Sequence, residues 1–349
     1  MKKLLIYIFI SITAYSTGQV INNFPRSENI KMYETVNPVP HRVLGRMFTT
    51  DDYLVIFPCN RMEENFFKYY SLDDLRFVLA GGQYEPGYDN MNNRRPDALT
   101  RISYYYFTPE GNRFTMIDNQ TFKQIDIAEG KVNIINKDAI NTPMNMPAVN
   151  NYSKIDDNVY CLTNTDITRP YEFILFDKQG ENPKWISPYP KWANVKEELP
   201  LFTYISVVVP NPALKRFMVL YGKFRRLRLF DSKGNMLKDI SVEFPFKFPP
   251  YDENNQSIML SYSIPYADDK YVYAICYNAR SNVTNKSTEL QIWNWNAEPV
   301  AVLHLDKGLR QFAISEKKRR LYATDPLNAD EKIRGKIFWC DLPKWLYEK

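Results

Sequence analysis

Short apolar runs separated by polar turns fill this chain of 349 residues. Six of the runs share one arrangement, a polar turn followed by an apolar segment typical of a β-strand. These six copies cover residues 51–57, 111–117, 156–162, 214–220, 268–274 and 317–323. A further apolar run follows each copy, in residues 67–70, 122–125, 173–176, 227–230, 290–293 and 336–339. The pattern therefore predicts six repeated units built from β-strands.

The repeats recur at intervals of about 50 residues, which is the length of a four-stranded propeller blade. We therefore predict an all-β protein, a six-bladed β-propeller with four-stranded antiparallel blades. A long β-sandwich would contain as many strands, but it would not explain six similar copies.

The sixth unit is one strand short, because the chain reaches Pro343 soon after its third strand. An alternating segment at residues 29–36 precedes the first unit and has no place in it. We predict that this N-terminal strand completes the sixth blade and closes the ring, which leaves no open edge between the first and last blades. Residues 19–349 then form one domain, since a cut anywhere opens the ring.

The first 18 residues have the pattern of a secretory signal peptide. A short basic start (Met1–Lys3) precedes an apolar stretch (Leu4–Ala14) and the small residues Ser16–Gly18. The alternative is a membrane anchor, but about 12 apolar residues are too few for a bilayer that needs roughly 20. No Cys follows the apolar stretch, so we expect an exported protein without a lipid anchor, in the periplasm, the cell envelope or the medium.

Charge and cysteine content narrow the function further. The formal net charge of +5 falls to +3 without Lys2 and Lys3. So small a net charge does not favour a protein that binds nucleic acids through its overall charge. The four cysteines are too widely spaced for a metal motif, and two of them lie in apolar strands. We predict buried free thiols, although disulfide pairing is open in an exported chain. The cysteines are Cys59, Cys161, Cys276 and Cys340.

Several of these features resemble the TolB-like six-bladed propellers of Bacteroidetes. They are the signal peptide, the six irregular blades, the aromatic-rich second strands and the segment Ala80–Gly87 after the first blade. The resemblance covers nearly all of the chain after residue 18. It implies a propeller fold and an envelope location, and it carries over no activity or catalytic residue.

The repeat also sorts the connections into two faces. In a propeller, the links from second to third strand and from one blade to the next emerge on the same side. Here those links are the longest, at residues 58–65, 81–97, 186–200, 245–257, 277–287 and 325–335. The opposite side receives tight turns such as residues 51–52, 177–180 and 231–234. We expect the functional site on this long-loop face, because binding residues gather in the long loops of a rigid scaffold.

The long loops hold aromatic residues beside Arg or Lys, a combination that suits sugars, peptides or acidic groups. The alternative is that these rings pack between the blades and only stabilise the fold. The candidate ligand-binding residues are Tyr84, Tyr88, Arg94, Arg95, Tyr189, Trp192, Phe248 and Tyr251.

The sequence offers no catalytic constellation. His41 and His304 are expected at strand ends with structural roles. Asp residues come in turn pairs, where the carboxylate usually accepts hydrogen bonds from its own backbone. These pairs are Asp73–Asp74, Asp156–Asp157 and Asp268–Asp269. Nucleophile-elbow and phosphate-binding motifs are missing, so we predict no catalytic residue, metal ligand or cofactor.

Two basic runs, residues 223–228 and 317–320, are interpreted as a strand with one solvated face and a solvated turn. The alternative is a contact with acidic lipid or polyanionic glycan. We expect a monomeric, exported, non-enzymatic protein that binds an envelope protein, peptide or glycan at the long-loop face. One alternative is a calcium-dependent hydrolase or lyase with its site on the propeller axis. Another is a purely structural component of the envelope.

Overall fold

Six β-sheets, one for each predicted repeat, make up the described part of the chain. The structure is a computed structural model. It describes residues 18–37, 45–58, 65–83, 99, 102–118, 120–128, 130–141, 152–192, 199–243, 259–262, 265–280, 287–309, 311–324 and 336–348.

The strands are numbered along the chain, and three short strands precede the blades: β1 (Gln19–Ile21), β2 (Ser27–Ile30) and β3 (Tyr33–Glu34). Blade 1 contains β4 (Gly45–Thr49), β5 (Tyr53–Pro58), β6 (Asn65–Ser71) and β7 (Phe77–Gln83). Blade 2 contains β8 (Ile102–Glu110), β9 (Arg113–Asp118), β10 (Thr121–Ala128) and β11 (Lys131–Ala139). Blade 3 contains β12 (Tyr152–Asp156), β13 (Val159–Thr163), β14 (Tyr171–Phe176) and β15 (Lys184–Pro188).

A single short helix, α1 (Pro200–Thr203), lies in the described part of the link to blade 4. Blade 4 contains β16 (Ser206–Asn211), β17 (Arg216–Tyr221), β18 (Arg226–Asp231) and β19 (Met236–Val242). Blade 5 contains β20 (Met259–Tyr262), β21 (Tyr266–Ala267), β22 (Tyr271–Arg280), β23 (Thr288–Asn294) and β24 (Pro299–Leu305). Blade 6 contains β25 (Phe312–Ser315), β26 (Arg320–Thr324) and β27 (Ile337–Asp341), and a 3-10 turn at Lys344–Leu346 follows.

Each repeated sequence segment forms the strand that its position predicts. The six apolar copies become the second strands, and the runs that follow them become the third strands, each antiparallel to its neighbours. The prediction of a six-bladed β-propeller is confirmed.

In blade 4, burial is greatest in the two middle strands. Phe217–Tyr221 in β17 are buried on both faces, because neighbouring blades cover them. Phe217 stacks on Phe230 at 5.0 Å between ring centroids, and Phe173 of blade 3 meets both rings edge-on. In β11, at an outer edge, no residue is buried. Continuous apolar runs therefore mark the middle strands.

The ring closes through the N-terminal segment, as predicted. In β3, Tyr33 and Glu34 pair antiparallel with Trp339 and Phe338 of β27. The ion pair from Lys336 Nζ to Glu34 Oε1, 2.6 Å long, stabilises the same edge. The N-terminal strand thus completes the last blade.

The strand pairing of this segment differs from the prediction that all of residues 29–36 join blade 6. Only β3 does so, while β2 runs parallel to β24 of blade 5 and β1 runs parallel to β19 of blade 4. The outer edges of both blades thus gain an extra strand. Residues 18–36, called the N-terminal strap below, therefore link the rims of three blades in order.

Candidate functional site

Two of the eight candidate residues, Tyr189 and Trp192, lie in the described residues. They belong to the link between blades 3 and 4, on the long-loop face. The other six lie outside the described residues: Tyr84, Tyr88, Arg94, Arg95, Phe248 and Tyr251.

Tyr189 and Trp192 are half-buried against three aromatic residues of blade 4. Tyr189 stacks on Tyr204 at 6.0 Å, and Tyr204 stacks on Phe224 at 5.3 Å. Trp192 meets the ring of Tyr221 edge-on at 4.7 Å. These five residues form what we call the aromatic platform. For these two candidates, the structure therefore shows the packing between blades that the sequence left open as the alternative.

Charged residues are buried beneath the platform. Arg228 Nη1 lies 2.9 Å from Oε2 of Glu172, and Arg228 Nη2 lies 3.0 Å from Oδ2 of Asp239. Arg226 Nη2 lies 3.3 Å from Oδ1 of Asp239. These four residues are called the interblade charge network. Two cations and two carboxylates balance within it, which offsets part of the cost of burying them.

Glu172 is the most deeply buried carboxylate of this network. Its Oε1 accepts a hydrogen bond of 2.8 Å from the Tyr221 hydroxyl, and its Oε2 accepts one of 2.6 Å from the Ser187 hydroxyl. Burial raises the pKa of Glu172 to about 7, and the charge of Arg228 and these hydrogen bonds oppose that rise. The carboxyl group therefore titrates near neutral pH.

Trp192 covers both cations of the network. Its ring lies 4.2 Å from the guanidinium carbon of Arg226 and 4.5 Å from that of Arg228. Such cation–π contacts are strengthened when water is excluded. The buried charges thus fix the position of the link that carries Trp192.

The sequence analysis did not find the interblade charge network. The interpretation of residues 223–228 as a strand with a solvated face is wrong for Arg228, because that side chain is buried against Glu172 and Asp239. The signal in the sequence was a single Glu within the apolar strand Tyr171–Phe176 and a single Arg within Leu227–Phe230. A charge in such a position is seldom buried unless it is paired.

Exposed apolar side chains stand next to the platform. Leu199, Phe202 and Ile205 are 42%, 53% and 54% exposed, whereas Tyr204 among them is buried. Helix α1 carries Phe202, and the backbone N–H of Gly222 donates a hydrogen bond of 2.8 Å to the carbonyl of Ile205. These three residues are called the apolar rim. The hydrogen bond to Ile205 connects this segment to Gly222, which follows Tyr221 of the platform.

A cavity of about 550 Å³ lies on the propeller axis, between the first strands of the blades. Its apolar walls include Phe48, Phe107 and Phe312, from blades 1, 2 and 6. Its lining reaches the tight turns of the opposite face at Asp269 and Glu316, both of which are exposed. The cavity is therefore distinct from the aromatic platform.

One aspartate of each turn pair accepts the predicted backbone hydrogen bonds. Asp74 Oδ1 accepts a hydrogen bond from the backbone of Arg76, and Asp156 Oδ1 accepts one from the backbone of Asp157. Asp268 Oδ1 accepts two, from Lys270 and Tyr271. Backbone hydrogen bonds also lower the pKa of Asp74 and Asp156. Within the described residues, no group of three His, Cys, Asp or Glu side chains is arranged to hold a metal ion.

His304 lies near the end of β24, as predicted, and the cysteine prediction is confirmed where the structure describes it. His304 Nε2 lies 3.0 Å from the Ser27 hydroxyl at the junction of β24 and β2, while His41 lies outside the described residues. Three cysteines are buried free thiols: Cys161, Cys276 and Cys340. Burial raises the pKa of Cys340 to about 12, so its thiol is unreactive at neutral pH. Cys59 lies outside the described residues.

No helix in the described residues has the length and apolar character needed to cross a membrane. No protein-family model matches the chain, and no curated protein matches its sequence.

Solved structures match the fold. A member of the DUF4221 family from Bacteroides vulgatus matches with a TM-score of 0.51 and 13% identity, over 88% of this chain and 96% of that one. A Bacteroides fragilis protein predicted to be exported matches with a TM-score of 0.49 and 9% identity, over 92% of this chain and 99% of that one. The calcium-binding protein regucalcin from Agrobacterium tumefaciens matches with a TM-score of 0.48 and 9% identity, over 90% of this chain and 95% of that one. The first likeness places this protein among the β-propellers and, at this identity, concerns the fold alone.

Proposed function

We propose that this protein is an exported, non-enzymatic propeller that binds a protein or peptide partner at the long-loop face, where blades 3 and 4 meet. The observation that carries this proposal is the apolar rim. Leu199, Phe202 and Ile205 are exposed within one short segment of the chain, although Thr203 and Tyr204, which lie between the last two, are buried. Clustered apolar surface on a rigid base is typical of interaction sites.

The base beneath the rim is rigid for a physical reason. Tyr204 packs between Tyr189 and Phe224, and the interblade charge network fixes Trp192 from below. A partner that binds the rim would therefore pay little for ordering this part of the surface.

The chemistry of the surface favours a polypeptide over a glycan. Sugars need the free face of an aromatic ring, whereas the rings of Tyr189 and Trp192 are half-buried against neighbours. Aliphatic groups such as Leu199 and Ile205 pack better against apolar side chains. Lys191, which precedes Trp192 in the chain, is exposed, which suits a partner segment that also carries carboxylates.

Export and membership of the TolB-like propellers of Bacteroidetes belong to the same proposal. The propeller fold supports the membership, and the start of β1 at Gln19 supports cleavage of a signal peptide before it. The protein then works in the periplasm, in the cell envelope or outside the cell. The six candidates outside the described residues remain proposed contacts on the same face.

A pull-down from the native cell envelope tests the proposal. Phe202→Ser with Ile205→Ser removes the apolar rim, and Met236→Ser with Leu237→Ser is the matched control, because these two residues are exposed in the same blade at its opposite end. We expect one partner, identified by mass spectrometry, to be lost with the rim variant and kept with the control. Titration of the purified partner should reproduce the difference.

A second variant, Tyr88→Ala, Arg94→Ala and Arg95→Ala, tests the loop after blade 1 separately.

Equal capture of the same partner by the wild type and the rim variant would overturn the assignment of the rim. Hydrolysis of a lactone or a glycoside by the purified protein, abolished by a carboxylate substitution on the long-loop face, would overturn the non-enzymatic proposal.

A further inference from the structure

The axial cavity has the size and the walls of a small-molecule site. Its volume of about 550 Å³ lies within the range of roughly 300–1,000 Å³ that such sites occupy. Phe48, Phe107 and Phe312 supply apolar surface, as do Val207 and Val209 of blade 4. The first strands of neighbouring blades form these walls, so the cavity is part of the rigid ring.

One side of the cavity mouth is acidic. Asp268 and Asp269 follow β21 in blade 5, and Glu316 follows β25 in the neighbouring blade 6. Partial desolvation of the carboxyl group and the charges of the two aspartates raise the pKa of Glu316. The three carboxylates therefore repel one another, and a positive group between them would relieve that repulsion.

Aromatic groups flank the same carboxylates and line the cavity. The Tyr266 hydroxyl donates a hydrogen bond of 3.1 Å to Oε1 of Glu316. Trp295 Nε1 donates one of 2.8 Å to the backbone carbonyl of Asp268, which fixes the indole beside the mouth. Ring faces next to carboxylates attract organic cations.

The cavity's own cations lie on other blades. Lys154 of blade 3 is 3.5 Å from Asp157, and Arg46 belongs to blade 1. Within the described residues, neither Asp269 nor Glu316 forms an ion pair with them or with any other side chain. In this part of the chain, the two carboxylates at the mouth therefore have no cation paired with them.

We infer that the axial cavity is a second binding site, which takes a small organic cation with an apolar body. The ammonium group lies between Asp269 and Glu316 beside Trp295, and the apolar body enters the cavity toward Phe312. This site faces away from the long-loop surface, so it does not depend on the proposed partner.

Calorimetric titration with three probes of the same shape tests this inference. Phenethylamine is positively charged, 2-phenylethanol is neutral, and phenylacetate is negatively charged. We expect saturable binding of phenethylamine with a Kd of about 1 mM or tighter, binding of 2-phenylethanol weaker by about tenfold, and no binding of phenylacetate.

Two kinds of variant locate the site. Asp269→Asn with Glu316→Gln should weaken phenethylamine binding by about tenfold or more and leave 2-phenylethanol binding unchanged. Asp138→Asn with Glu181→Gln is the control, because it removes two charges from exposed positions near outer strands. Ala213→Trp places a large ring at the exposed rim of the mouth and should weaken both probes.

Thermal unfolding checks that each variant is folded, and the charge variant alone decides the result if Ala213→Trp does not fold. The inference is overturned if phenethylamine does not saturate by about 10 mM. Equal affinity for phenethylamine and 2-phenylethanol would also overturn it, as would undiminished phenethylamine binding to the charge variant.

Discussion

The hydroxyl of Tyr221 donates a hydrogen bond of 2.8 Å to Oε1 of Glu172 and so joins the second strand of blade 4 to the third strand of blade 3. Both residues are buried, so water cannot replace the donor when it is removed. This contact belongs to the network that fixes the aromatic platform.

Tyr221→Phe should therefore lower the free energy of unfolding by about 1–2 kcal/mol. Chemical denaturation measures this loss. Tyr69→Phe is the matched control, because the Tyr69 hydroxyl is buried and has no hydrogen-bond partner among the described residues. That variant should be neutral or slightly stabilised, and equal losses in both variants would contradict the role of the bond.

The raised pKa of Glu172 predicts a pH dependence of stability. Its pKa is about 7 in the folded protein against an ordinary value of 4.5, so the folded state binds this proton more tightly than the unfolded state. The stability that Glu172 contributes is full below pH 4.5 and falls as the pH rises to 7.

Denaturation of the wild type and of Glu172→Gln at several pH values measures this effect. The difference in unfolding free energy, wild type minus variant, should fall by up to about 3 kcal/mol between about pH 4.5 and pH 7. A difference that stays constant, or that rises with pH, would show that Glu172 is ionised throughout this range.

The N-terminal strap should contribute strongly to stability through Phe24. This residue is buried, and its ring meets that of Trp293 in blade 5 edge-on at 5.1 Å. Phe24→Ala should lower the free energy of unfolding by about 2–4 kcal/mol because it leaves a cavity. Val20→Ala, at an exposed position of the same strap, should change it by less than about 0.5 kcal/mol. A small loss for Phe24→Ala would mean that the strap is only loosely attached.

The strap also predicts where the signal peptide is cleaved. Gln19, Val20 and Ile21 pair with β19, so a mature protein that lacked them would lose this strand. Mass spectrometry of the exported protein should find its first residue at or before Gln19. A first residue after Ile21 would contradict this prediction.

The repeat and its turns could be predicted from the sequence because their causes are local. The apolar run in β17 and the backbone hydrogen bonds of Asp268 depend on residues close to them in the chain. The register of the strap could not be predicted, because Ser27–Ile30 is a short, largely polar strand whose position is set by pairing with β24, far away in the sequence. Glu172 and Arg228 are also far apart in the sequence, so their pairing could not be predicted. The sequence indicated only that each charge lies within an apolar strand.

The order of the strap has a consequence for how the protein folds. Residues 19–34 precede all six blades in the chain, yet their partners are β19, β24 and β27, the last of which ends at Asp341. The N-terminal strap therefore cannot complete its pairing until nearly the whole chain has been synthesised, and the ring closes only then. Contacts so distant in sequence form slowly, so closure of blade 6 should be the late step of refolding.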